Sequence, residues 1–112
     1  MNVVELQEKL KLDLVSGKGG THRQVSGVYI GDMLSWVMAK AQHNNAWITI
    51  QTNLNIMAVA VMTDVSCVII AENAEIPEET INKSEEENIP VFRSALTAYQ
   101  LAARYAGAVG NE

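Results

Sequence analysis

The chain has 112 residues, 48% hydrophobic and 19% charged, a balance too apolar for disorder and too interrupted by polar residues for a membrane span. Lys and Arg total 8 against 13 Asp and Glu, and this net charge of -5 disfavours a surface that tracks nucleic-acid phosphates. The single cysteine, Cys67, excludes an internal disulfide framework or a Cys-based zinc cluster. It suits a reducing cytoplasmic compartment, and Met1 to Leu10 lacks the apolar central run of a signal peptide. At this length one domain, residues 1–112, is expected.

In chain order, Val3 to Lys11 carries Val3, Val4, Leu6 and Leu10 near one stripe, the pattern of an amphipathic helix. Leu12 to Val15 reads as a short strand, and the glycines of Ser16-Gly17-Lys18-Gly19-Gly20-Thr21 break regular structure into a turn. Val25 to Ile30 resumes as a strand. Asp32 then stands where it would cap a helix from Met33 to about Gln42. Ala46 to Ile50 is a strand, followed by a helix from Leu54 to Met62 with Thr52 or Asn53 as cap. That helix is apolar nearly all round and needs cover on more than one side.

Ser66 to Ile70 is the continuous apolar run of a strand buried on both faces. Glu72 to Asn88 then holds seven Glu and one Lys, so the remainder of the chain sums to +1. Pro77 and the acids just after it suit a helix start, and the segment reads as a solvated face or as a dock for a basic partner. Pro90-Val91-Phe92 is a brief strand, and Ser94 opens a closing helix from Ala95 to about Gly107. Strands alternating with helices predict an α/β fold with a mainly parallel sheet of about five strands and helices on its faces.

Three stretches carry a family resemblance: Gly27-Val28-Tyr29-Ile30-Gly31-Asp32-Met33-Leu34-Ser35, Ala46-Trp47-Ile48-Thr49-Ile50-Gln51-Thr52 and Asn55-Ile56-Met57-Ala58-Val59-Ala60, with Thr97-Ala98-Tyr99 near the end. Together they resemble the small stand-alone DRTGG-domain proteins. Such domains also occur in CBS-domain pyrophosphatases and are similar to the N-terminal domain of HPr kinase/phosphorylase. The resemblance implies a three-layer α/β/α fold, a regulatory role and frequent dimerisation. Where the family pattern places Asp-Arg, this chain carries Thr52-Asn53, and where it places Thr-Gly-Gly it carries Ala71-Glu72-Asn73.

Catalytic constellations are absent from the sequence. A P-loop needs G-x-x-x-x-G-K-[ST], and Ser16-Gly17-Lys18-Gly19-Gly20 has no Ser or Thr after its Lys. His22 and His43 have no ligand partner at helical spacing, and Cys67 sits in an apolar strand where a thiol acts as a small hydrophobe. No metal, no cofactor and no enzymatic activity are expected. In a parallel sheet the loops after the strands gather at one edge, which here collects Asp32, Gln51, Thr52, Asn53, Asn73, Arg93 and Ser94. These residues fit a polar or anionic small-molecule site with Arg93 as the anion contact, while capping alone also accounts for Asp32, Thr52, Asn53 and Ser94. Apolar residues in excess of what one sheet covers, with Met33, Trp36 and Val37 on one helix and Tyr99 on the last, predict a homodimer. The expected function is a noncatalytic, self-associating regulatory domain that senses a small ligand. The alternative is a protein-interaction subunit that modulates a neighbouring metabolic or redox enzyme.

Overall fold

The computed structural model describes residues 1–110. Helix α1, Val3–Leu10, starts where the Asn2 side chain accepts from the Glu5 amide at 2.9 Å while the Glu5 carboxylate accepts from the Asn2 amide at 3.1 Å. It ends one residue before the expected Lys11, because Lys11 turns left-handed at φ 55° and sends Leu12 inward. Strands β1 (Asp13–Ser16), β2 (Gly27–Ile30), β3 (Asn45–Thr49), β4 (Cys67–Ile70) and β5 (Val91–Arg93) form one sheet in the order β1-β5-β4-β3-β2. β2 to β5 are parallel, and β1 pairs antiparallel with β5.

Each parallel strand sits beside the next one in sequence, so every crossover steps the same way. Right-handed crossovers therefore place helices α2 (Leu34–Lys40), α3 (Asn55–Thr63) and α4 (Glu78–Glu87) together on one face. Helices α1 and α5 (Ala98–Val109) pack on each other across the opposite face. The period-two alternation of the strands feeds both layers. Ala46, Ile48, Cys67, Ile69 and Phe92 point toward α1 and α5, while Trp47, Val68, Ile70 and Val91 point toward α2 and α3. This is the three-layer α/β/α arrangement with a mainly parallel sheet.

Several helix starts differ from the sequence reading. Asp32 does not cap α2, whose N-cap position is Met33 with no side-chain hydrogen bond. The helix stops at Lys40 because Ala41 is extended and the Gln42 amide donates to Asn45 Oδ1 at 2.8 Å. Thr52 does not cap α3, whereas Asn53 does: Leu54 is already helical at φ -56° and ψ -29°, and Asn53 Oδ1 accepts from the first-turn amide of Asn55 at 2.9 Å. Ser94 opens no helix: its amide donates to Ile70 O at 2.9 Å, extending the sheet, and its hydroxyl accepts from the Leu96 amide at 3.1 Å. α5 begins four residues later, where Thr97 and Gln100 form a reciprocal capping box.

The acidic helix α4 is fastened by hydroxyls rather than by apolar residues. Thr80 and Ser84, one turn apart and buried, face inward; Thr80 Oγ1 donates to Thr52 O at 2.8 Å, and Ser84 Oγ donates to Ile89 O at 2.6 Å. Ser84 also accepts from Ser16 Oγ at 2.8 Å, which ties α4 to β1. The glycine-rich turn, a 3-10 stretch at Lys18–Gly20, lies directly on the turn after α4. A Cβ on Gly20 would stand 2.0 Å from Asn88 O, and one on Gly17 would stand 2.1 Å from Ile89 O. Gly17 also has φ 78°.

Gly20→Ala is therefore expected to destabilise the fold by about 3 kcal/mol through backbone overpacking, read as a fall in the urea midpoint. Gly107, inside α5 with nothing within 4 Å of a Cβ, makes the control. Gly107→Ala should stabilise by about 0.5–1 kcal/mol through helix propensity alone.

Candidate functional site

The carboxyl ends of β2, β3, β4 and β5 share one edge, because β2 runs parallel to the core and keeps Asp32 there. Asp32 braces the loop after β3: its Oδ1 accepts from Thr49 Oγ1 at 2.8 Å and from the Ile50 amide at 2.9 Å. Gln51 Nε2 returns to Asp32 O at 3.0 Å, and Asn53 Oδ1 accepts from the Asn55 amide at 2.9 Å. Thr52 contributes its carbonyl, which receives the Thr80 hydroxyl. The structure thus joins Asp32, Gln51 and Asn53 into one polar brace with Thr49, which sequence reasoning had not singled out.

A second cluster closes the β4 and β5 ends. Arg93 Nη2 donates to Asn73 O at 2.6 Å, and the Asn73 amide donates to Ser94 O at 2.8 Å. Arg93 Nε is buried and is the one buried side-chain nitrogen or oxygen without a partner among the described residues. Glu72 and Asn73 are consecutive left-handed residues, at φ 59° and 52°. The resemblance sets these two positions opposite the paired glycines of the DRTGG pattern, and both hold the left-handed conformation that glycine adopts most readily. The strand order has no reversal among its parallel members, so there is no switch point at which neighbouring loops diverge into a crevice.

The residues expected at a dimer interface separate. Met33 and Trp36 stand 63% and 60% exposed at the outer side of α2, whereas Val37 is fully buried against the sheet and has no surface to offer a partner. Tyr99, 81% exposed, lies on α5 in the opposite layer, and Leu101, two residues further on, is core. α3 joins the Met33 and Trp36 side: Leu54, Val61 and Met62 are exposed there, Met62 to 70%. Asn55–Thr63 holds no charged residue.

Two reactive-looking features are structural. Cys67 is fully buried, and its desolvation pushes the thiol up to about 12, far from a nucleophile's range. Gly17 donates its amide to the Glu85 carboxylate at 2.7 Å, so the glycine-rich turn already holds an anion of its own chain. At the opposite sheet edge, Arg23 Nη2 donates to Asp64 Oδ1 at 2.9 Å and to Asn44 Oδ1 at 2.7 Å, and His43 Nδ1 lies 2.5 Å from Asp64 Oδ2. Partial desolvation alone would raise the Asp64 carboxyl, but Arg23 and then His43 together hold it below its ordinary value of 3.8. No group of three or more His, Cys, Asp or Glu among the described residues is arranged to hold a metal ion. None of the described helices is long and apolar enough to cross a membrane.

Because the Asp64 carboxyl is depressed in the fold, its contribution is present above the ordinary value and is lost as the pH falls through the lowered one. With the carboxylate half-exposed, the contribution is under about 1 kcal/mol. Asp64→Asn should remove that much stability at neutral pH and flatten the acid limb of the unfolding midpoint. Glu72→Gly should stabilise by about 0.5–1 kcal/mol, since relief of left-handed strain exceeds glycine's entropic cost. Urea titrations of both variants measure these changes.

A family model for the DRTGG domain matches residues 5–108. HPr kinase/phosphorylase from Bacillus mycoides (strain KBAB4) and from Bacillus cereus (strain G9842) are each 24% identical over 115 residues, covering 89% of this chain and 37% of their own length. The chain thus spans little more than a third of these curated relatives. Among solved structures, the CBS and DRTGG domains of the regulatory region of Clostridium perfringens pyrophosphatase, complexed with the activator diadenosine tetraphosphate, share the fold. The TM-score is 0.69 at 13% identity, over 91% of this chain and 44% of that one. With the family pattern running from the first helix through every strand into the last helix, the chain belongs to the DRTGG domain family.

Proposed function

We propose that this chain is a noncatalytic regulatory module, a single domain that pairs with a second copy through the outer face of α2 and α3 and responds to a small polar or anionic ligand. The observation that carries the reading is the uncharged helix α3 with Leu54, Val61 and Met62 outward beside Met33 and Trp36. A solvated helix on an α/β domain keeps charge on its outer side, so a contiguous apolar strip there favours a covered surface. An aromatic anchor such as Trp36 contributes about 2 kcal/mol or more to such an association.

The noncatalytic half is supported by what the reactive-looking groups do. Cys67 is inaccessible, and the Gly17 amide is held by Glu85 rather than free for a phosphate. The ligand half rests on the strand-end loops, where the Arg93 guanidinium meets the left-handed Glu72-Asn73 turn. The activator bound by the Clostridium regulatory region makes diadenosine tetraphosphate the first probe to try.

Light scattering of the full chain at high micromolar concentration should give the mass of two chains, and a monomer there refutes self-association. Diadenosine tetraphosphate or a simpler nucleotide should raise the unfolding midpoint by mass action. Arg93→Ala should abolish that increase while costing about 1 kcal/mol of stability for the lost bond to Asn73. An increase that survives Arg93→Ala, or no response to any anionic metabolite, refutes the strand-end site.

A further inference from the structure

Between α3 and α4 runs an open groove of about 510 Å³, with Leu54, Ala58 and Met62 on one wall and Lys83 and Glu87 on the other. Trp36 stands one helix away across α3, on the same layer. Resting on the self-association proposed above, we propose that the pair is an interlock: Trp36 of each copy seats in the α3–α4 groove of the other, with Lys40 set against Glu86 and Glu87 of the second copy.

Helix direction and charge select this arrangement. The three helices each return the chain between parallel strands, so they run the same way and end at the same sheet edge. Two flat layers packed face to face are related by a two-fold axis lying in the interface. If that axis runs along α3, it exchanges α2 for α4 across the interface and keeps their direction. The last residue of α2, Lys40, then overlies the last turn of the opposing α4, which ends in Glu85, Glu86 and Glu87. Lys40 is exposed and forms no ion pair among the described residues, and Lys83 alone answers Glu86 and Glu87. Trp36, midway along α2, overlies the middle of the groove.

If the axis instead crosses the helices, α4 stacks antiparallel on its own copy. The acidic last turn then faces Glu78 and Glu79 of the first turn, a juxtaposition of like charges. The first axis pairs opposite charges and fills the groove, and the second does neither.

The test is oxidative cross-linking of the full chain. A double variant, Lys40→Cys with Glu87→Cys, should give a covalent dimer on a nonreducing gel, while each single variant should not. α3 stands between α2 and α4, which prevents a bond within one chain, and the buried Cys67 does not compete. In the unmodified protein Trp47 is buried at all concentrations, so a blue shift of tryptophan emission on raising concentration reports Trp36 alone. Trp36→Ala should remove that shift and weaken the dimer at least tenfold. A dimer that cross-links through Lys40→Cys alone, or one that forms with no blue shift, overturns the interlock and leaves self-association standing. A monomer at every concentration overturns both.

Discussion

Everything in this fold follows from the chain having to travel beneath its own sheet. β1 occupies one edge and β2 the other, so residues 17–26 must pass the amino ends of β5, β4 and β3 before the parallel run begins. The passage is anchored at its start by backbone on backbone: Gly17 and Gly20 approach the Asn88–Pro90 turn where no side chain fits. Further along, Arg23 Nη2 donates to Asn44 and Asp64 at 2.7 and 2.9 Å. Ser26 Oγ donates to His43 O at 2.8 Å, and the Val25 amide donates to Met1 O at 2.8 Å. The turns that start β3 and β4 are thus fixed by the same segment that delivers β2. Because β2 arrives at the far edge, every later crossover steps back toward β1, and α2, α3 and α4 fall on one face.

That single-sided winding explains why the strand-end loops are polar and bonded to one another. With no reversal of strand order among the parallel members, adjacent loops lie side by side and bond to each other. Asp32 holds the loop after β3, and Arg93 holds the loop after β4. The left-handed Glu72 and Asn73 are part of the same closure, since their amides donate to Leu96 O and Ser94 O at 2.9 and 2.8 Å. A side chain costs about 1–2 kcal/mol in that conformation, less for Asn. The strain is offset by the two backbone bonds that zip this turn to the segment after β5.

Much of the architecture was legible from local pattern. The two-sided apolar run around Cys67–Ile70 announced a buried parallel strand, and the continuous apolarity of Leu54 to Met62 announced a helix with too much surface to leave in water. The start of the closing helix was also available: Thr97-x-x-Gln100 is a capping-box signature, and it outranks the isolated Ser94. Other features needed the tertiary structure. Trp36 and Val37 are neighbours in a seven-residue helix, too short for periodicity to fix which one faces the sheet. The packing of Gly17 and Gly20 on Ile89 and Asn88 joins positions about seventy residues apart, and no local rule distinguishes it from an ordinary turn. Thr80 and Ser84 read as polar surface in an acidic helix, because their buried acceptors, the Thr52 and Ile89 carbonyls, are backbone atoms.

The distribution of apolar and charged surface bears on function more than any single residue does. α4 is held to the sheet by hydroxyls and keeps its outward side acidic, whereas α3, next to it, has no charge at all. A helix layer built this way has a graded face: basic at the end of α2, apolar across α3, acidic at the end of α4. A face graded from positive to negative is complementary to its own copy turned about the central helix, and to few arbitrary surfaces. The same gradient relates the acidic segment to the rest of the chain. The charge gathered in Glu72 to Asn88 leaves the remainder at +1, so the polarity is a property of the sequence before it is one of the fold.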